Sequence, residues 1–313
     1  MAVIQTPRPL VLIKGAGDLA SGVAFRLHWA GFPVVMTELP QPLMVRRAVS
    51  FGEAVYDGET TIEGIVGRLV PHVEAARAAL AGRVIPVLVD GEARVRQELA
   101  PAVLVDGIMA KRNTGTRITD APLVIALGPG FTASVDCHAV IETSRGHWLG
   151  RVIWQGSALP DTGIPGEISG QATPGRVLRA PADGLLETCV AIGDAVAAGQ
   201  VVATVGGIAL RAGCAGVVRG LLRSGLRVTA GLKVGDVDPR GERACCFTIS
   251  DKSLAVAGAV LEAVLGAETC VRLADLPAAR PDRLYESVTD EARLGLTLRG
   301  PQSARLQEVS TSV

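Results

Sequence analysis

The sequence predicts an α/β protein in which a parallel-sheet domain is followed by an all-β domain. Three observations lead to this fold class. An apolar run at residues 11–13 ends in a glycine-rich turn that opens into a helical pattern. Four further apolar runs alternate with polar or helical segments, which is typical of a parallel sheet with both faces covered. The C-terminal half contains an internal repeat of short strand-like segments.

The glycine-rich turn reads G-x-G-x-x-A on Gly15, Gly17 and Ala20. Gly15 permits a sharp turn, Gly17 lets a pyrophosphate approach the backbone, and Ala20 lets the helix pack close to the strand. The free N–H groups at the start of the helix then face the phosphates. This arrangement is Rossmann-like, and Asp18 within the turn is included in the predicted nucleotide site. The alternative is a tight turn that binds nothing.

A second apolar run, at residues 33–36, ends at Glu38, which lies 21 residues beyond Gly17. This is near the spacing of the acidic residue that binds a ribose 2′-hydroxyl in dinucleotide-binding folds. The expected cofactor on these grounds is NAD(P) or another dinucleotide. Arg46 and Arg47 follow at a place where a ribose 2′-phosphate would be met, but we favour a solvated loop for this pair.

Two later apolar runs, at residues 103–108 and 123–127, lead into polar or glycine-rich loops. In an open parallel sheet the ligand lies beyond the carboxyl ends of the strands, so these loops are expected to share one rim with the Gly15 turn. The residues assigned to the site from these loops are Lys111, Asn113, Thr114, Gly128 and Gly130. Lys111 would neutralise phosphate, and the glycines would leave backbone exposed to the ligand. Ordinary turn chemistry at the surface is the alternative.

Residues 136–147 contain two of the four histidines and several other side chains that can bind metals. Their order matches no known zinc spacing, so no metal site is predicted. If residues 138–143 form a strand, His138 and Glu142 share one face, and they become candidate catalytic residues together with Lys111. The alternative is a set of hydrogen-bonded strand residues lining a cleft.

Composition restricts the class of partner and the compartment. Lys plus Arg and Asp plus Glu both total 31, and aromatic residues make up 3%, so no nucleic-acid-binding surface is predicted. No apolar run approaches the roughly 18 residues of a membrane span, and residues 1–10 lack the pattern of a signal peptide. The six cysteines show no C-x-x-C spacing. These features predict a cytoplasmic protein.

The internal repeat has an offset of 32 residues. Residues 179–186 recur as residues 211–218, and Gly193 matches Gly225 at the same offset. Two such copies can interlock and bury the faces that neither copy could bury alone. The pattern resembles the biotinyl/lipoyl-type barrel-sandwich fold, whose carriers attach a cofactor to a lysine on the hairpin between the halves. No lysine occurs from residue 112 through 232, so no covalent biotin or lipoate is expected.

These patterns divide the chain into segments. Residues 9–160 are predicted to form the Rossmann-like nucleotide-binding domain, and residues 161–175, rich in glycine and proline, a linker. Residues 176–266 are predicted to form the barrel-sandwich domain with a closing helix. Residues 280–313 lose the apolar pattern, which predicts a poorly packed tail.

Several segments, taken together, resemble one family. They are VLIKGAGDLASGVAFRL, AKRNTGT, LGPGF, HAVIETSRGHWLGRVI and GLKVGDVDPRG. On these motifs, residues 11–264 resemble the selenium-dependent molybdenum hydroxylase system protein family, the YqeB type. The resemblance implies a cytoplasmic accessory protein for the maturation of molybdenum hydroxylases, enzymes of the xanthine dehydrogenase kind.

Two main function classes are compatible with these observations. The first is a maturation factor that binds a nucleotide or the molybdopterin dinucleotide. Its expected partners are a molybdenum hydroxylase apoenzyme or other maturation factors, and its expected state is a homo-oligomer. The second is a nicotinamide-dependent oxidoreductase acting on a small metabolite. A structural chaperone that binds no nucleotide is a third. The lack of a clear acid–base constellation and the added β-rich region favour the first class.

Overall fold

The computed structural model describes residues 8–161 and 175–270, and within them the large sheet has nine strands. In chain order these are β1 (Val11–Lys14), β2 (Val34–Glu38), β3 (Glu59–Ile62), β4 (Ile65–Leu69), β5 (Ile85–Val89), β6 (Val103–Asp106), β7 (Leu123–Leu127), β8 (Ala139–Ile141) and β9 (Val152–Ile153). The helices between them are α1 (Asp18–Trp29), α2 (Ala54–Asp57), α3 (Val73–Ala81) and α4 (Arg96–Leu99), with 3-10 turns at Arg47–Val49, Phe51–Glu53 and Ile118–Asp120. The predicted tail at residues 280–313 lies outside the described residues, as do residues 162–174 of the predicted linker.

The strand order of the large sheet is β3-β4-β5-β2-β1-β6-β7-β8-β9. The run from β4 to β8 is parallel throughout. Residues of β1 are all buried, which explains the nearly continuous apolar run in the sequence, because both faces of a parallel sheet are covered. The chain runs from β1 to β2, continues to β3 and β4 at the edge, returns to β5 between β4 and β2, and then crosses to β6 on the other side of β1. A crevice outside the carboxyl ends of β1 and β6 is therefore the expected ligand position.

The predicted fold class, a Rossmann-like parallel sheet followed by a barrel-sandwich domain, is wrong. The large sheet is mixed, because β3 pairs antiparallel with β4 at one edge and β9 pairs antiparallel with β8 at the other. The β3–β4 connection is only two residues long, and Glu63 and Gly64 both have positive φ, at 45° and 83°. A turn this short can join only antiparallel neighbours, and its left-handed backbone matches the twist of a hairpin.

Residues 177–238 form two four-stranded antiparallel sheets. Their strands are β10 (Val177–Arg179), β11 (Gly184–Thr188), β12 (Ala195–Val196), β13 (Val201–Val205), β14 (Ile208–Arg211), β15 (Gly216–Leu221), β16 (Arg227–Val228) and β17 (Lys233–Asp238). One sheet has the order β10-β17-β15-β12 and the other β14-β13-β11-β16. We refer to these two sheets as the β-rich region.

The β-rich region and the large sheet belong to one compact unit that ends at Cys270. The segment after β2 joins them, because Val45, Ala48 and Tyr56 pack against the apolar core of the β-rich region. Gly220 in β15 lies against the backbone of Val45 so closely that an added Cβ would collide with it at 2.8 Å. The core of the β-rich region is therefore completed by side chains from the first part of the chain.

Two further helices follow the β-rich region, α5 (Ala244–Phe247) and α6 (Asp251–Cys270). The sequence predicted a helix that closes the barrel-sandwich domain, but α6 packs on α1 against the large sheet. The two helices approach so closely that a Cβ at Gly22 would collide with the Ser253 hydroxyl. That hydroxyl donates a hydrogen bond to the Asp18 carbonyl at 2.9 Å, so the small residues bring the two backbones together.

Among the described residues, one stretch is long and apolar enough to cross a membrane by length and composition. It is Ala244–Ala267, which includes α5 and most of α6. Its mean hydropathy is 1.4. In the structure Val256, Val260 and Val264 from this segment are fully buried in the core shared with α1. A core helix of this kind meets the same criterion as a membrane span.

Candidate functional site

A cavity of about 430 Å³ lies over the carboxyl ends of β1, β2 and β6, at the crevice expected from the strand order. This volume is within the range of small-molecule sites. Its glycine and polar wall residues include Gly15, Gly17, Asp18, Glu38, Arg46 and Thr114. The structure thus brings together six residues from three loops, and five of them were assigned to the site from the sequence.

The Gly15–Gly17 turn has the backbone geometry expected of a phosphate-binding turn. Gly15 has φ of +92°, and an added Cβ would lie 3.1 Å from the backbone of Ile108. Gly17 has φ of −70°, and an added Cβ there would have no atom of the described residues within 4 Å. Gly17 is also the N-cap of α1, and no side chain caps this helix. The first N–H groups of α1 are therefore available to an anion in the cavity.

Ala20 is fully buried, and the reason for its small size is visible in the packing. A Cβ added to Gly107, on the loop after β6, would lie only 2.8 Å from the Ala20 side chain. Helix α1 therefore sits close to the strand ends. A larger residue at either position would push the helix away from the cavity.

Glu38 lies in the cavity wall, but its carboxylate also holds the turn. One oxygen accepts a hydrogen bond from the Ala16 N–H at 2.7 Å and the other from the Leu39 N–H at 2.7 Å. Burial raises the pKa of the Glu38 carboxyl, and the two backbone hydrogen bonds partly offset this. Each carboxylate oxygen has a second lone pair, so a ribose hydroxyl could still bind. The sequence indicated the ribose role and missed the turn-holding role.

Arg46 and Arg47, predicted to be a solvated loop, point in different directions. Arg46 enters the cavity wall with a side chain that is 10% exposed. Arg47 turns toward the β-rich region, where it donates hydrogen bonds to the Leu221 carbonyl and to Glu53, both at 3.1 Å. The first arginine therefore belongs to the site and the second to the packing between the two regions.

Sequence reasoning missed a buried polar cluster beside the cavity. The Lys14 ammonium donates to the Thr116 hydroxyl at 3.1 Å, and that hydroxyl donates to Asp106 at 2.5 Å. The ammonium lies 3.9 Å from the same Asp106 oxygen, and burial raises the pKa of this carboxyl. Lys14 and Asp106 are register partners on β1 and β6. The missed signal was a charged residue at the end of each of two apolar runs, VLIK and VLVD.

The loop after β6 contributes less to the cavity than predicted. Lys111 does not line the cavity and instead forms an ion pair with Asp161 at 2.6 Å, with both side chains partly exposed. The Asn113 side-chain oxygen accepts hydrogen bonds from the Gly115 and Thr116 N–H groups at 2.8 and 2.9 Å. Of the three residues assigned from this loop, only Thr114 reaches the cavity wall.

The loops after β6 and β7 do meet, as the parallel sheet requires, but they pack against each other. Gly130 has φ of +103°, and an added Cβ would lie 2.5 Å from the backbone of Arg112. Gly128 has φ of +73°, and its Cβ would lie 2.6 Å from the Thr143 hydroxyl. These glycines allow close contact between protein segments. Neither lines the cavity.

His138 and Glu142 are not brought together. They precede and follow β8, so at about 3.3 Å per residue they lie roughly 13 Å apart along the chain. The His138 ring accepts a hydrogen bond from the Val124 N–H at 2.9 Å, and burial lowers its pKa. The Glu142 carboxylate accepts hydrogen bonds from the N–H groups of Ser144 and Leu159 at 2.7 and 2.8 Å. The geometry therefore gives no support to a catalytic pair.

The fold and the cavity define an α/β protein with a candidate ligand crevice at the carboxyl ends of β1, β2 and β6. No protein-family model matches the chain. The chain is 52% identical over 256 residues to the uncharacterized protein YqeB of Escherichia coli (strain K12). The match covers 82% of this chain and 47% of YqeB, so the chain spans about half the length of this relative. This sequence identity confirms the resemblance to YqeB that the motifs indicated.

Solved structures give only distant likenesses. The ectoine utilization protein EutE (DoeB) of Ruegeria pomeroyi, in its product-bound form, is 14% identical with a TM-score of 0.21, covering 72% of this chain and 56% of that one. An aspartoacylase family protein of Mesorhizobium loti is 14% identical with a TM-score of 0.24, covering 74% and 85%. A succinylglutamate desuccinylase of Silicibacter is 15% identical with a TM-score of 0.22, also covering 74% and 85%. Likenesses at this level carry no argument about fold or activity.

Proposed function

We propose that this chain binds a nucleotide in the cavity at the Gly15–Gly17 turn and acts as an accessory protein in the maturation of molybdenum hydroxylases. The observation that carries the proposal is the open backbone at Gly17, directly before an uncapped helix that faces the cavity. An uncapped helix N-terminus with a glycine in front of it is suited to a pyrophosphate.

The pyrophosphate is the part that NAD(P) and molybdopterin dinucleotides have in common. The residues present fit this group, because no atom of the described residues fills the space in front of Gly17. The N–H groups of the first turn of α1 would hold the pyrophosphate, and Glu38 would accept a hydrogen bond from a ribose hydroxyl. A bound molybdopterin dinucleotide would supply the hydroxylase with its molybdenum ligand. The chain's own residues would bind it and orient it.

The hydroxylase part of the proposal rests on the family resemblance of the motifs. Two of these motifs, AKRNTGT and LGPGF, contribute the loops that pack together beside the cavity, and VLIKGAGDLASGVAFRL contains its phosphate-binding turn. The separation of His138 from Glu142 favours a binding role over a free-standing acid–base enzyme. The partners would be a hydroxylase apoenzyme or other maturation factors.

Nucleotide binding is tested by calorimetric titration of the full chain with NAD, NADP and ADP-ribose. The wild type should bind at least one of them, and Gly17→Val should abolish that binding, because the valine side chain would occupy the space reserved for phosphate. Gly82→Val is a matched control, since Gly82 also has negative φ and lies at the end of α3 away from the cavity. Equal affinity of Gly17→Val and wild type would contradict the proposal.

The role in maturation is tested in cells that express a molybdenum hydroxylase and lack this chain. Hydroxylase activity per mole of hydroxylase protein should fall, and the wild-type chain should restore it while Gly17→Val does not. Full hydroxylase activity in the absence of the chain would contradict the proposal. Steady reduction of NAD by the purified chain with a small metabolite, and no hydroxylase present, would support an oxidoreductase instead.

A further inference from the structure

Arg46 has an unusual environment for an arginine beside a cavity. Its side chain is nine-tenths buried, and one terminal nitrogen donates to the carbonyls of Cys245 and Thr248 at 3.0 and 3.3 Å. Its Nε is buried and has no hydrogen-bond partner among the described residues. A buried N–H without an acceptor is costly, and the cost is larger for a charged group. The described protein atoms therefore leave the Arg46 guanidinium incompletely hydrogen-bonded.

The charge of Arg46 is only weakly balanced inside the cavity. The nearest Asp18 oxygen lies 3.9 Å from the other terminal nitrogen, beyond hydrogen-bond distance, and the Asp18 side chain is 36% exposed. The second carboxylate of the cavity, Glu38, accepts hydrogen bonds from the N–H groups of Ala16 and Leu39 and forms no ion pair with Arg46. Among the described residues that line the cavity, Arg46 carries the one cationic side chain.

We propose that Arg46 and the first turn of α1 together form a subsite for a diphosphate group. This inference rests on the proposed nucleotide binding and adds Arg46 to the groups that hold the diphosphate. Asp18, the first residue of α1, lies next to Arg46, so the guanidinium and the helix N-terminus face the same space. A guanidinium presents donors in a planar fork that matches phosphate oxygens, and the helix start supplies backbone N–H groups.

The position of Arg46 also distinguishes this subsite from one for a ribose 2′-phosphate. A 2′-phosphate would be met beside Glu38, the residue expected to bind the ribose. Arg46 instead faces Asp18 at the start of α1, where the diphosphate of a dinucleotide would lie. The site is therefore expected to favour a diphosphate over a nucleoside that lacks one, and to gain little from an added 2′-phosphate.

Arg46 links the subsite to α5 and to Thr248, which follows it. The carbonyls of Cys245 and Thr248 share one of its terminal nitrogens, and Arg219 donates to the Cys245 carbonyl at 3.4 Å. A diphosphate held by Arg46 would fix the guanidinium and, through it, these two carbonyls. Residues 245–248 should consequently exchange their amide hydrogens more slowly when the diphosphate is bound.

The test uses inorganic pyrophosphate as the probe and compares two neighbouring arginines by calorimetry on the full chain. Arg46→Met should weaken pyrophosphate about ten- to hundredfold, the range of a lost charge-assisted contact. Arg47→Met should change the affinity less than about twofold, because Arg47 already donates to Leu221 and Glu53. Arg46→Lys keeps the charge without the fork and should give an intermediate loss.

The outcomes separate this inference from the proposed function. An Arg46→Met protein that binds pyrophosphate like wild type, equal losses for both arginine variants, or a wild type that binds no pyrophosphate would each overturn the subsite. Binding of pyrophosphate but of no dinucleotide would support the subsite and contradict the proposed function. If Arg46→Met does not fold, Arg46→Lys and Gly17→Val decide, and both must weaken pyrophosphate for the subsite to hold.

Discussion

Two glycine-rich regions at the carboxyl edge of the large sheet look alike in sequence and differ in packing. The first rim is the Gly15–Gly17 turn with the ends of β1 and β2 beside the cavity, and the second rim is formed by the loops after β6 and β7. Both follow a buried strand and both contain two glycines one residue apart. At the first rim, a Cβ on Gly17 would meet open space in the cavity. At the second rim, a Cβ on Gly130 would collide with the backbone of Arg112. A glycine-rich loop after a strand thus predicts a tight turn, but not whether a ligand or the protein itself fills the space.

Polar groups show the same contrast. At the second rim the charges and amides are paired, as Lys111 with Asp161 and Asn113 with the backbone of its own turn. At the first rim, among the described residues, the Arg46 Nε and the Thr37 hydroxyl are buried without a hydrogen-bond partner. Buried polar atoms are nearly always satisfied in folded proteins. The first rim is therefore less completely hydrogen-bonded by the described residues than the second, which is what the proposed binding of a ligand there requires.

Alanine at the two rims should give the largest difference in stability. Gly130→Ala forces a Cβ against the Arg112 backbone at a φ of +103°, so we expect the free energy of unfolding to fall by about 3 kcal/mol or more. Gly17→Ala adds its Cβ to open space at an ordinary φ, so the free energy of unfolding should change by less than about 0.5 kcal/mol. Chemical denaturation of both variants measures the difference. Similar stability losses would mean that the two rims do not differ in packing.

The second prediction concerns the pH dependence that the first rim imposes. Burial raises the pKa of Glu38 in the folded chain above its ordinary value of 4.5. The unfolded chain therefore releases this proton at a lower pH than the folded chain does. Below pH 4.5 the carboxyl is protonated in both states and lowers the stability in neither, whereas above this pH its ionisation favours the unfolded state. The free energy of unfolding should fall as pH rises through the window between the two pKa values. The loss is about 1.4 kcal/mol for each unit by which the pKa is raised.

Glu38→Gln removes this titration and isolates its contribution. The free energy of unfolding of the wild type minus that of Glu38→Gln should decrease as pH rises from 4 to 8. Urea denaturation at each pH measures both values. A difference that is constant with pH, or that grows with rising pH, would contradict a raised pKa in the folded state.

A small effect is also expected at Lys111, where the sequence predicted a phosphate contact. The ion pair with Asp161 is partly exposed and screened by solvent, so Lys111→Ala should lower the free energy of unfolding by less than about 1 kcal/mol. It should leave the affinity for pyrophosphate unchanged, because Lys111 does not line the cavity. A loss of affinity comparable to that of Arg46→Met would return Lys111 to the site.

The central strands could be predicted from the sequence and the edges of the sheet could not. β-Branched apolar runs identified β1, β5 and β7 because a strand covered on both faces needs no alternation. The β3–β4 hairpin was missed because its strands are short and partly exposed, and its turn, Glu63-Gly64, is an unusual sequence for two left-handed residues.

The site was predicted better in position than in detail. Spacing located Gly15, Gly17 and Glu38 at one rim, because the ends of neighbouring parallel strands must meet there. Spacing could not show that the Glu38 carboxylate accepts the Ala16 N–H across 22 residues. Nor could it separate Arg46 from Arg47, which are adjacent in sequence and differ only in what surrounds them. Such assignments depend on contacts between segments that are distant in the chain.

The contact between α1 and α6 has a consequence for how the chain folds during synthesis. Ser253 and Asp18, which share a hydrogen bond, are 235 residues apart. At about 5–20 residues per second, a ribosome takes roughly 12–47 seconds to cover that distance. Throughout this interval the apolar side of α1 has no α6 to cover it. Nascent chains stalled before residue 251 should consequently be prone to aggregate, and completion of the α1–α6 contact should come late in folding.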